Sequence, residues 1–263
     1  MFAIDQVMNM KIEKSDSPFT LAQRSTYLDS LVEPQELYLE MLIALGVHWS
    51  IGENGYAITN QYDLVEFYLP NVSSQQLTDA ISQLKKTTGI QFILYKSFDQ
   101  QLAEVAGYQN SQPETVGYLF REFQQPAFVS TKIDVTLRSS TAEDLQSVAE
   151  INDDFFEDTQ EIEMYHRNNA LFCLTEETGA LVGCGITTRV IPGRRDVDLG
   201  MLVAKEKREQ GLGAYIINSL ATNVISNGDR PICGCSSDNQ ASFAALQKAG
   251  FTNHHQNLRV KLD

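Results

Sequence analysis

The stretch Leu202-Val203-Ala204-Lys205-Glu206-Lys207-Arg208-Glu209-Gln210-Gly211-Leu212-Gly213-Ala214 decides the fold. A strand-like segment, Val197 to Val203, runs into it, and Ile216, Ile217, Leu220 and Val224 follow it with the spacing of one helical face. The stretch is therefore a strand-to-helix turn carrying the pattern R-x-x-G-x-G. Glycines at 211 and 213 let consecutive backbone N–H groups face one concavity without Cβ atoms in the way, and the helix that begins there adds the positive end of its dipole. Such a turn can hold a pyrophosphate largely by main chain, with Arg208, Lys205 and Lys207 supplying positive charge. Taken alone, an ordinary helix start explains the G-x-G as well. Other glycine-loop chemistries fail on detail, because the chain has no G-x-x-x-x-G-K-[ST] and no second strand bearing an acidic ribose ligand.

Working outward from the turn, Asn227-Gly228 stops the helix, Pro231 to Cys235 reads as a short strand, Asn239 to Ala249 as a helix ended by Gly250, and Leu258 to Leu262 as a last strand. Upstream, Ile133 to Arg138 alternates like a strand. Ser140 to Glu143 has the form of a capping box ahead of a helix with Leu145, Val148, Ile151 and Phe155 on one face. A short helix over about Thr159 to Asn168 leads to a hairpin of Leu171–Thr175 and Leu181–Val190 around Glu177-Thr178-Gly179, and then to a loop at 191–195. The order β-α-α-β-β-β-α-β-α-β predicts an α/β fold, a mixed central sheet flanked by helices.

Composition narrows the function classes. A 263-residue chain with 43% hydrophobic residues can bury a sizeable core, and no stretch approaches the apolar length of a membrane helix, so the chain is expected to be soluble and cytoplasmic. A net charge of -14 without a Lys/Arg-rich run argues against nucleic acid as a partner, suits a cationic amine, and is also a common solubility device. Cys173, Cys184, Cys233 and Cys235 all fall in apolar strand-like segments and make no C-x-x-C pair, which reads as buried reduced thiols rather than a disulfide or metal site. The Thr252-Asn253-His254-His255 stretch reads as a solvated turn. No metal is expected.

Several spaced motifs now stand in one order. Arg208 to Gly213 lies on a strand-to-helix junction; Cys233-Gly-Cys-Ser-Ser-Asp-Asn239-Gln-Ala-Ser242 and Lys248-Ala-Gly250-Phe251 follow, and Leu137-Arg138-Ser-Ser-Thr-Ala-Glu143-Asp144-Leu145 opens the segment. Together they resemble the GNAT superfamily of N-acetyltransferases over about 125 residues. The resemblance implies the acyl-CoA N-acyltransferase fold and acetyl-CoA as co-substrate. It also implies a gap between the strands ending at Val203 and at Cys235, where pantetheine lies along the main chain of Met201, Leu202 and Val203. The pyrophosphate would rest on Arg208, Glu209, Gln210, Gly211, Leu212, Gly213 and Ala214. Asn239 and Ser242 match positions on the pantetheine and phosphate side, although both are also good residues for the start of a helix.

The implied reaction is direct attack of a neutral primary amine, on a small molecule or a peptide, upon the thioester. Main-chain N–H near Leu202 or Val203 would stabilise the oxyanion. Asp198, with Asp196 as a neighbour, is the candidate base; an exposed strand carboxylate is the plain alternative. Where many members carry a tyrosine as the acid for the leaving thiolate, this chain has Leu246, which leaves Tyr215, or Cys235, as substitute. The acceptor would be chosen by the segment from Asn152 to His166, whose carboxylates alternate with Phe155, Phe156 and Tyr165. A non-catalytic module that recruits a partner protein is the competing class, and a homodimer stays open.

The first half repeats the plan more faintly. Val65 to Pro70, a helix from about Ser73 to Lys86, a strand from Ile90 to Tyr95 and a segment from Ser97 to Gly107-Tyr108 follow the order seen from Val197 to Gly250-Phe251, with Leu42–Ile51 and Gly55–Thr59 as the preceding hairpin. Its turn, Pro70-Asn71-Val72-Ser73-Ser74-Gln75, has neither the arginine nor the paired glycines. Two tandem copies are expected: a degenerate copy over 1–128, a linker at 129–134 overlapping the end of the patternless segment Gln124 to Lys132, and a catalytic copy over 135–263. One cofactor per chain follows.

Overall fold

The computed structural model describes residues 10–15, 21–126 and 128–263; residues 1–9 and 16–20 and Ala127 of the patternless segment lie outside the described residues. The chain forms two compact units. One runs to Gly117 and also holds His255–Asp263; the other is Tyr118–His254.

The first unit contains β1 (Ile12–Lys14), α1 (Leu21–Ser30), α2 (Leu37–Ala44), β2 (Val47–Ile51), β3 (Gly55–Asn60), β4 (Asp63–Tyr68), α3 (Ser74–Thr88), β5 (Phe92–Lys96), α4 (Gln100–Gly107) and the start of β6 (Glu114–Phe123). The expected hairpin is β2–β3, but Leu42 to Ala44 close a helix. α2 is apolar almost throughout, so its short sequence does not separate helix from strand by period. β4 and β5 are parallel, and one sheet face buries Phe67, Ile93 and Tyr95 with Leu77, Ile81 and Leu84 of α3 and Leu102 and Val105 of α4.

The second unit adds β7 (Val135–Ser139), α5 (Leu145–Ile151), α6 (Thr159–Arg167), β8 (Leu171–Glu176), β9 (Leu181–Arg189), β10 (Asp196–Val203), α7 (Leu212–Ser226), β11 (Arg230–Ser236), α8 (Gln240–Ala249) and the start of β12 (Phe251–Lys261). Its strands lie in the order β6-β11-β10-β9-β8-β7. β10 is parallel to β11 and antiparallel to β9, giving the mixed sheet that the element order predicts. Ile216, Ile217, Leu220 and Val224 are buried against Val197 and Leu199. At roughly 2 kcal/mol per buried aliphatic side chain, that stripe is a main reason α7 stays on the sheet.

Some local readings shift. The capping box is Thr141 with Asp144, one residue later than expected, and opens on a 3-10 turn; Ser140 instead meets Nδ1 of His166 at 2.8 Å. α5 ends at Ile151, because the Asn152 side chain accepts from the N–H groups of Phe155 and Phe156 and takes Phe155 off the helix. The 252–255 stretch is strand rather than turn. β12 leaves the second unit after His254, and its Asn257–Lys261 pair with Phe92–Lys96. The patternless segment is held within the second unit: Gln124 N–H donates to the Gly250 carbonyl and Lys132 N–H to the Gln210 carbonyl.

Candidate active site

β10 and β11 are paired only where Asp196, Val197 and Asp198 face Arg230, Pro231 and Ile232; beyond that they diverge. The sequence of main-chain bonds then decides what faces the divergence. Val190 N–H donates to Asp196 and Ala204 N–H to Val182, and opposite residues in an antiparallel ladder exchange bonds at every second position. Asp196, Asp198, Gly200, Leu202 and Ala204 are thus bonded to β9. The N–H and C=O groups of Leu199, Met201 and Val203 point the other way, into the open side. Of the two oxyanion donors expected, Leu202 is excluded by its bonds to β9, and Val203 lies on the open side, its carbonyl accepting from Nε of Arg208 at 3.3 Å.

The divergence ends at the turn. Lys205 to Lys207 make one 3-10 turn, Glu209 has φ 61°, Gly211 has φ 83°, and α7 starts at Leu212 with no side-chain cap and no acidic residue in its first turn. Among the described residues, the N–H groups from Glu209 to Ala214 meet no acceptor. An uncapped helix start with glycines at 211 and 213 is built to take an anion. Gly213 lies against Met201 of β10 and Ala245 of α8, which brings three elements to one place. Gly211 has a second constraint: a Cβ there would run into the Ser130 carbonyl.

The positive side chains are engaged. Nη2 of Arg208 and Nζ of Lys205 contact Asp153 at 2.7 and 2.6 Å, and Lys207 pairs with Glu176. Hydrogen bonds from Lys205 and Arg208 hold the Asp153 carboxyl below its ordinary range. The acidic segment is thus less free than its composition suggests: Asp153 binds the turn, Asp158 caps α6, and Glu161 accepts from Glu157 N–H. Glu163 is exposed.

Side chains of β10 alternate between two faces. Val197, Leu199, Met201 and Val203 belong with α7, and Tyr215 packs at that cluster. Asp198 lies opposite Thr188 in the β9 register, and the Tyr165 hydroxyl is 3.3 Å from that of Thr188. Burial pushes the Tyr165 phenol up, and the Glu161 and Asp198 charges add to the shift. Phe155 covers Gly200 beside Ile186, and Leu202 packs with Val148 and Phe156. Asp198 is therefore on the α5–α6 face together with Tyr165, Thr188 and Phe155, whereas Tyr215 is on the other face. Thr188 carried no motif; only the strand register reveals it.

Asn239 is the N-cap of α8, its Oδ1 accepting from Ser242 N–H at 3.0 Å. The capping use of both residues is therefore real. Leu246 is buried in the α7–α8 cluster. Cys173, Cys184 and Cys233 are buried free thiols and Cys235 is a partly exposed one.

In the first unit the corresponding parallel pair, β4 and β5, diverges after Leu64 and Ile93. There polar side chains bridge the two strands on one face. Glu66 of β4 accepts from Arg24, Tyr56 and Gln35, and Lys96 of β5 donates to Gln35 and Tyr27, so Gln35 bridges the two strands. Tyr27 in turn donates to Asp99, whose carboxyl burial pushes up and Lys96 pulls down. The N-terminus of α3 is closed by its own capping box, Ser73 with Gln76.

Comparison with known proteins finds the same family in both halves. Residues 20–123 match the family model described as an acetyltransferase (GNAT) domain, and residues 138–251 match that of the acetyltransferase (GNAT) family. No curated protein matches the chain in sequence. Among solved structures, an acetyltransferase from the GNAT family of Colwellia psychrerythraea is 22% identical with a TM-score of 0.84, covering 96% of this chain and 100% of its own. A tandem GNAT protein from the clavulanic acid biosynthesis pathway is 12% identical with a TM-score of 0.60, covering 96% and 98%. A GCN5-related N-acetyltransferase from Sphaerobacter thermophilus is 12% identical with a TM-score of 0.57, covering 82% and 80%. These likenesses are of fold.

Proposed function

The chain belongs to the GNAT acetyltransferase family, with two of its domains in tandem, and from that premise we propose that its second unit transfers the acetyl group of acetyl-CoA to a primary amine of a small molecule or peptide. The observation that carries this reading is the short β10–β11 pairing, which leaves the main chain of Met201 and Val203 facing a gap that ends at the uncapped start of α7. Acetyl-CoA supplies the acyl group as a thioester, and its sulfur departs as a thiolate. Met201 and Val203 would hold the pantetheine by main chain. The turn from Arg208 to Ala214 would hold the pyrophosphate, with Arg208 exchanging Asp153 for phosphate oxygens.

The protein's own part in the chemistry is orientation and proton management. Asp198 stands on the face of α5 and α6, where a carboxylate can take the proton of an incoming amine, with Tyr165 and Thr188 beside it to orient that amine. The Val203 N–H on the open side would stabilise the oxyanion. Loss of an unprotonated thiolate, of pKa about 8.5, costs only about 1–2 kcal/mol near neutral pH, so Leu246 in the usual acid position does not stop the reaction. The test is thiol release from acetyl-CoA by the full chain against polyamines, aminoglycosides, amino acids and peptide N-termini. Release dependent on one amine class is expected. Cofactor binding, seen as a raised melting temperature, without turnover on any amine would instead identify a non-catalytic CoA-binding module.

A further inference from the structure

Asp153 belongs to the bend between α5 and α6, the segment expected to choose the acceptor, yet its carboxylate is turned onto the residues expected to hold the pyrophosphate. One oxygen accepts from Nζ of Lys205 at 2.6 Å and the other from Nη2 of Arg208 at 2.7 Å. Two charge-assisted contacts to two cations are what a phosphate group would make at the same place. Lys207, the third cation of the turn, pairs instead with Glu176 of β8, outside the bend. The Asp153 side chain is 27% exposed, so a soluble anion can reach the contact, and ion pairs this open to water exchange readily.

The bend connects Asp153 to the acceptor side of β10. Oδ1 of Asn152 accepts from the N–H groups of Phe155 and Phe156, and its Nδ2 donates to the Phe156 carbonyl, so residues 152–156 form one hydrogen-bonded loop. Asp154 makes the sharp turn inside it, at φ 57° in the left-handed region that Asp tolerates better than most side chains. Phe155 then lies on β10, its ring tip 3.0 Å from where a Cβ on Gly200 would stand. Gly200 is two residues from Asp198 on the same strand. We propose that Asp153 is an internal competitor for the phosphates of acetyl-CoA, and that its displacement from Lys205 and Arg208 moves Phe155 over β10, so that loading of the donor is felt on the acceptor side. The proposal rests on the reading of the Arg208 to Ala214 turn as the pyrophosphate site and adds a regulatory contact to it. Linkage makes the effect reciprocal: a contact that cofactor binding breaks must itself weaken cofactor binding.

Titration calorimetry with CoA compares the full chain with its Asp153→Asn variant, which keeps the shape and removes the charge. Loss of the competitor is expected to lower the dissociation constant about three- to tenfold, the range for one or two partly exposed ion pairs. Phe155→Trp supplies a reporter, the signal of the native Trp49 being subtracted by means of the parent. Its emission is expected to shift when CoA is added. In the Asp153→Asn background it should lie near the CoA-bound value from the start, with the CoA-dependent change reduced at least ~threefold. Glu176→Gln releases Lys207 without touching the bend and should leave the reporter's response as in the parent. Should Asp153→Asn fail to fold by circular dichroism, Asp153→Ser takes its place. Equal or weaker CoA affinity without the carboxylate, a reporter that responds alike with and without it, or a response that Glu176→Gln abolishes equally would overturn the proposal while the cofactor reading stands. Absence of CoA binding in the parent and in both Asp153 variants would overturn the reading and the proposal together.

Discussion

Asp198 is the candidate base for the amine and Tyr215 the candidate acid for the leaving thiolate, and the register of β10 puts them on opposite faces. Asp198 shares a face with Thr188 and Tyr165, and Tyr215 packs with the α7 cluster on the opposite face. A base has to meet the amine, and within the proposed reaction Asp198 is on the amine's side; an acid for the thiolate, the role considered for Tyr215, does not have to be there. Asp198→Asn keeps the shape and removes the proton acceptor; it is expected to lower turnover about 100-fold while CoA affinity stays within about twofold. Turnover and affinity measured together decide it, and equal turnover in the variant would reduce Asp198 to a strand carboxylate. Restoring the common acid by Leu246→Tyr is a poor test, because Leu246 is 2% exposed and a larger ring there overpacks the core. Gly211→Asp is equally ambiguous. With φ at 83° and Ser130 against the Cα, it strains the turn whether or not phosphate binds.

At the scale of elements, most of the second half was legible because its strands and helices carry distinct periods: the α7 stripe, the β8–β9 hairpin and the R-x-x-G-x-G junction need no tertiary information. The parts that were not legible depend on partners distant in sequence. Asn152 ends α5 through bonds to Phe155 and Phe156, β12 is long because Asn257 to Lys261 find β5, and the segment near Ser130 is fixed by the closeness of Gly211. The point where β10 leaves β11 was legible only through the family resemblance, and it has a natural reporter. Cys235 is on β11 beyond the last paired residue, Ile232. Burial pushes its thiol up to about 11, and that of Cys173 up to about 12. A raised thiol pKa keeps the group protonated below that value, so labelling by an aromatic disulfide reagent should climb about tenfold per pH unit between about pH 8 and 10. Cys173, Cys184 and Cys233, being buried, should react only on unfolding. Saturating CoA is expected to slow labelling of Cys235 several-fold. Labelling that CoA leaves unchanged would take the pantetheine away from β11.

At the scale of the whole molecule, two domains of one family raise the question of why one cofactor is expected rather than two. Both units have a parallel strand pair that parts early, β10–β11 after Asp198 and Ile232, β4–β5 after Leu64 and Ile93. The difference lies in what the following residues do. In the second unit the helix after the turn begins without a cap, and the turn before it carries three cations, each paired with a carboxylate. In the first, Ser73 and Gln76 satisfy the start of α3, and Gln35 ties Glu66 to Lys96 across the diverging strands. Parting the strands there would break that bridge and strand buried charges: Glu66 is 0% and Lys96 1% exposed, and breaking one such partnership typically costs about 3–5 kcal/mol. A pantetheine arm would have to meet that cost without an anion site to anchor its far end, so binding to the first unit is disfavoured on both counts. Titration calorimetry of the full chain with CoA should therefore give one molecule per chain. Arg208→Ala, which removes the guanidinium from the turn of the second unit, should weaken that single event about tenfold and uncover no second one. A stoichiometry near two, or a binding event of parent affinity that survives Arg208→Ala, would mean that the polar bridge of the first unit opens to cofactor, and the division of labour between the two domains would have to be redrawn.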